Sequence, residues 1–204
     1  MTNRGRARTV IGVVACAAIL SACQGVTDYA HSTPVAQRRA AAARDIDTVG
    51  RSLSALGPEL GRSTHDYCEE SQDNFKVNTT WRYQCRRSSS VLIDPEAPTL
   101  ARAVSELEVA LREAGCEALT WAPTADDPTG RTVRSYTVNC PAVSVQVRGF
   151  IDPADANQLE YLRYPDEITV VDSPFSDETV SRFADASPLG WRITFTSGYA
   201  TEPR

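Results

Sequence analysis

The chain is poor in the residues that usually betray a reaction. It has two histidines, His31 and His65, and one lysine, Lys76, among 21 basic side chains. No Gly-rich phosphate loop and no G-x-S-x-G stretch occurs, which leaves out the sequence signatures of nucleotide cradles and serine hydrolases. Cysteine spacings of the C-x-x-C kind are missing, so the six cysteines do not read as a zinc site. The calcium-loop spacing D-x-D-x-D-G is missing as well. No internal repeat or low-complexity block is present. The near-exclusive use of arginine over lysine, with abundant alanine, points to the coding bias of a high-GC bacterium.

What the chain does have begins at its start. Residues 1–8 carry Arg4, Arg6 and Arg8 and no acid, and residues 9–20 (TVIGVVACAAIL) carry no charge. A basic start followed by a short apolar run is an export signal, and about a dozen apolar residues are too few to cross a bilayer. The run ends in Leu20-Ser21-Ala22-Cys23, which resembles the lipobox of bacterial lipoproteins. The resemblance implies cleavage before Cys23 and an acyl anchor on its sulfur, at the outer face of the cell membrane. More than one acyl chain is needed for stable anchoring, which a lipoprotein cysteine provides. It covers only residues 1–23; no family is recognised for the remainder. The basic segment has no adjacent arginine pair, which favours export of an unfolded chain.

Cleavage would remove 22 of 204 residues and leave 182, enough for one domain with a sizeable core. It would also leave 18 basic against 26 acidic side chains, a formal charge of −8. That balance argues against nucleic acid as a partner. With Cys16 in the signal and Cys23 lipidated, four cysteines remain. An even number in an exported chain reads as two disulfides. The spacing favours Cys68–Cys85 and Cys116–Cys140: Cys85 lies on an inward strand face with room for Cys68 to return beside it, and Cys116 and Cys140 bracket a hairpin.

The expected fold is α+β: a mainly antiparallel sheet with helices packed on one face, in the order α-β-α-β-β-β-β-α-β. Residues 23–33 read as a tether and 34–204 as a single domain. The first helix starts at Thr33-Pro34, with the stripe Ile46, Val49, Leu53 and Leu56; its Ala- and charge-rich first half reads as solvated. A strand follows at 79–87, with Trp81, Tyr83 and Cys85 on one side and a bend or bulge at Ser88–Ser90. Leu100, Val104, Leu107, Leu111 and Ala114 mark the second helix, stopped by Gly115. Strands are expected at 117–122, 131–140, 143–151 and 168–171. They are joined by turns at Asp126–Gly130 and Cys140–Ala142, with a short helix near Leu159–Arg163. A helix opened by Ser176-Asp177-Glu178 and a last strand from Trp191 to Tyr199 complete the series.

Candidate chemistry is thin. His65, with Ser63 and Asp66 in STHDYC, could suggest a base beside a nucleophile, yet the spacing fits no hydrolase and an exposed loop is the expected setting. Asp152, Asp155, Asn157 and Glu160 crowd together as hard-cation ligands would, or as ordinary turn and cap residues. Trp81, Trp121 and Trp191 each fall on an expected strand, where a ring is generally core. Asn78-Thr79-Thr80 fits a glycosylation acceptor but carries no information in a bacterial lipoprotein. No cofactor or metal is implied. The reading is therefore a membrane-tethered envelope lipoprotein, a non-catalytic module binding an envelope protein or small ligand. Two alternatives stand beside it: a carrier of a lipid or other apolar ligand, and a carboxylate-dependent envelope hydrolase.

Overall fold

The computed structural model describes residues 25–71, 79–118, 120–121, 134–149, 167–185 and 190–204. Helix α1 covers residues 25–31, and α2 spans Thr33–Ser52, followed by a 3-10 turn at Leu53–Leu56. Seven strands follow, with α3 (Leu100–Glu113) and α4 (Asp177–Asp185) between them: β1 (Glu59–Glu70), β2 (Trp81–Ile93), β3 (Thr120–Trp121), β4 (Arg134–Cys140), β5 (Val143–Gly149), β6 (Glu167–Ser173) and β7 (Trp191–Pro203). They form one sheet in the order β3-β4-β5-β7-β2-β1-β6, and every neighbouring pair runs antiparallel. The protein is thus an α+β fold.

Period-2 alternation gives the sheet two unlike faces. Val143, Val145 and Val147 of β5, Val91 and Ile93 of β2, and Trp191, Ile193 and Phe195 of β7 are buried on one face. Against them pack Ile46, Val49, Leu53 and Leu56, together with Leu107, Ala110 and Leu111 of α3. Thr99 caps α3 by accepting the Arg102 N–H, and Gly115 beyond its end adopts φ 76°, a left-handed stop that suits glycine. The β4–β5 turn places Pro141 and then Ala142 at φ 62°, the geometry of a type II turn with alanine where glycine is preferred. Disulfides join Cys68 to Cys85, which face each other across β1 and β2, and Cys116 to Cys140.

Four expectations need correction. First, residues 25–31 are helical where a tether was expected: Val26 and Ala30 are buried with Val35, Tyr83 and Ala200, and this second core holds the helix down. Second, β1 is an interior strand with no counterpart in the expected order, because apart from Cys68 its buried residues, Ser63, His65 and Asp66, are polar and give no hydrophobic alternation. Third, the serines 88–90 do not interrupt β2; Ser88 and Ser90 bond to Thr196 and Thr194 across the ladder at 3.3 and 2.8 Å. Fourth, α4 lies on the opposite face from α2 and α3. It packs Phe183 on Leu92, whose strand neighbours Val91 and Ile93 point the other way, and its Thr179 crowds Gly61 directly opposite Leu92. The expected turn at Asp126–Gly130 and helix near Leu159–Arg163 lie outside the described residues.

Candidate functional site

Strand β1 carries two buried ionisable groups on consecutive positions, and alternation sends them to opposite faces. Asp66 points toward the helices and His65 away from them, so the STHDYC stretch does not assemble a nucleophile, base and acid in one place.

Asp66 is fully buried, 0% exposed, and is held by three elements. The Arg87 guanidinium of β2 donates to its Oδ2 at 3.1 Å, and the Tyr199 hydroxyl of β7 donates to its Oδ1 at 2.6 Å. Arg39 of α2 places its Nε 3.4 Å from the same oxygen and donates to the Tyr199 hydroxyl at 3.2 Å. Its Nη2 donates to the Ala30 carbonyl at 2.6 Å, which brings α1 into the group. A bulge makes this possible. Cys85 and Arg86 of β2 oppose Ala200 and Gly198, so Tyr199 is the extra residue, and its ring joins the helix side instead of alternating away. Burial, then the hydrogen bond to Asp66 and the charge of that carboxylate, push the Tyr199 phenol far above its ordinary value, with Arg39 opposing. The phenol therefore stays protonated and acts as a donor. A carboxylate whose lone pairs are filled by two guanidiniums and a phenol, in a space closed to solvent, is a clamp between helices and sheet.

On the other face, His65 stacks on Tyr67 with ring centroids 4.9 Å apart and reaches past it to Glu167 of β6. Nε2 and Oε1 are 3.0 Å apart, and the side chains are only 2% and 4% exposed. Burial raises the nearby Glu69 carboxyl above the usual range, opposed by Arg86 and reinforced by Glu167. A His–carboxylate pair is the core of many acid–base sites, but a site needs access to substrate. This pair is closed off, and it lies between β1 and the edge strand β6. His65 is thus not the exposed loop residue the sequence suggested.

The remaining candidates scatter. Trp191 is buried in the main core and Trp81 is half-buried at the start of β2; Trp121 lies on β3. His31 is exposed at the end of α1. Cys23, Asn78 and the group Asp152, Asp155, Asn157 and Glu160 lie outside the described residues. Among the described residues no cluster of three or more His, Cys, Asp or Glu side chains is disposed to hold a metal ion, and no helix is long and apolar enough to cross a membrane. Sequence reasoning singled out Asp66 only beside His65, and it missed Arg39, Arg87 and Tyr199. Those three are 27, 21 and 133 positions from Asp66 and carry no common spacing signal. No family model, curated protein or solved structure matches this chain.

Proposed function

We propose that the protein is a lipid-anchored module of the cell envelope, displayed at the outer face of the cell membrane, that binds an envelope protein or small ligand and performs no catalysis. The observation that carries the reading is the tetrapeptide Leu20-Ser21-Ala22-Cys23 at the end of a charge-free run behind a basic start. The two disulfides support an oxidising compartment. The non-catalytic part is supported by what the buried polar groups do: Asp66, Arg39, Arg87 and Tyr199 bond to one another and to the Ala30 carbonyl, and His65 and Glu167 are shut away from solvent.

The anchor is tested by growing cells with labelled palmitate and fractionating them. The parent chain incorporates label and sediments with membranes, whereas Cys23→Ala loses the label and accumulates as the full-length precursor. A Cys23→Ala chain that is processed and membrane-bound like the parent refutes the anchor. Crosslinking in intact cells followed by purification tests the binding role; a discrete adduct that disappears when surface residues of the domain are altered supports it, and a chain recovered only uncrosslinked speaks against it.

A further inference from the structure

We propose that one end of the sheet, bearing Trp81, Arg82 and Tyr29, rests on the lipid headgroups, so that the anchored domain stands against the bilayer with no free tether. The inference rests on the lipid anchor at Cys23. Only two residue steps separate Cys23 from Gly25, a reach of at most about 7 Å. Gly25 is already fixed, because it lies against the Tyr83 hydroxyl. The helix it begins is held by the buried Val26 and Ala30 and by the Arg39 bond to the Ala30 carbonyl. The acyl chains must therefore enter the membrane beside the sheet end where β2 starts and β7 finishes.

That end has the chemistry of a membrane interface. Trp81 is half-buried opposite Pro203, and Tyr29 packs on Tyr83 at 5.1 Å between ring centroids. Arg82 lies over the Tyr83 ring at 4.7 Å with its side chain 56% exposed. Rings with a polar tip settle at headgroup depth, and a guanidinium suits lipid phosphate. Among the described residues at this end, Arg82 faces Glu202 at 3.9 Å and Arg86 faces Glu69 at 4.0 Å, so part of the acidic charge there is met by guanidinium groups. The opposite sheet end, at Glu59 and Ile93, stands outward by the length of the 13-residue strand β2, about 40 Å along the strand.

The test couples the mature chain through the Cys23 thiol to maleimide lipid in phosphatidylcholine vesicles, with and without bromine on the acyl chains. Bromine quenches tryptophan on contact. With Trp121→Phe as the background and Trp191 sealed in the core, the chain should lose emission in brominated vesicles, and adding Trp81→Phe should remove most of that quenching. Equal emission of the background chain in both vesicles, or unchanged quenching on adding Trp81→Phe, overturns the proposal. Because the coupling is chemical, failure here sinks the orientation alone, while failure of palmitate incorporation in cells sinks the anchor.

Discussion

Replacing Asp66 by alanine should strongly destabilise the fold. The carboxylate has no exposure, whereas Arg39 and Arg87 keep 16% and 20% of their side-chain surface. Removing one member of a buried ion pair costs about 3–5 kcal/mol, mainly because the partners are left charged and unpaired. Here two guanidiniums would face each other, and the Tyr199 hydroxyl would lose its acceptor. The partial exposure of both arginines lets them turn toward water, which places the cost near the lower end, about 3 kcal/mol. For a chain of this size each kcal/mol moves the midpoint by about 2–4 °C, so Tm should fall by about 6–12 °C. The assay is reversible thermal and urea unfolding followed by circular dichroism, with disulfides intact. Arg87→Met and the double variant close a cycle: Asp66→Ala should be less harmful once Arg87 is gone, since one stranded charge is removed with it. Limited proteolysis should also show α1 loosened, because Arg39 would no longer be held in place to bond the Ala30 carbonyl. A loss under about 1 kcal/mol, or strict additivity in the cycle, would refute the clamp.

Tyr199 predicts an alkaline limit. Its phenol titrates higher in the folded protein than in the unfolded chain, so the folded state holds the proton more tightly; that stabilisation is complete below about pH 10 and is lost as pH rises toward the folded value. Tyr199→Phe should therefore be less stable than the parent at neutral pH and show a flatter decline above pH 10 in urea titrations; parallel curves would contradict this. Ala142→Gly should raise stability by about 0.5 kcal/mol, the relief of a left-handed alanine less the added freedom of glycine when unfolded, and a destabilised variant would rule out the turn assignment. Gly149→Ala should cost about 1–3 kcal/mol, because a methyl group there runs into the Trp191 ring in a closed core; unchanged unfolding would show that the ring has room to move.

How much was legible depended on whether burial was written in apolar residues. Helix α3 was readable because Val104, Leu107 and Leu111 repeat at helical spacing, and β5 because valine alternates with Ser144, Gln146 and Arg148. Strand β1 was hidden because its interior is Ser63, His65 and Asp66, whose burial is made tolerable by partners on other strands and on α2. Helix α1 was hidden for a different reason: it is short, and only its placement against Tyr83 gives Val26 and Ala30 something to cover. The apolar run Val91-Leu92-Ile93 did hold a missed clue to α4, since three consecutive buried residues in a strand require cover on both faces. The Asp66 clamp could not be read at all, because its geometry depends on a bulge at Tyr199 that no local pattern announces.

The strand order also has a consequence in time. β7 follows the other six strands in the chain, yet it sits between β5 and β2 and is hydrogen-bonded to both. Until it arrives, the β1–β2 hairpin and the β4–β5 hairpin are separate ribbons with no shared ladder, and the main core lacks Trp191, Ile193 and Phe195. A chain emerging from the ribosome in order therefore cannot complete this sheet until β7 has been made. Closure of the long-range pairings then comes in one late step, a slow and cooperative event for a sheet of this connectivity.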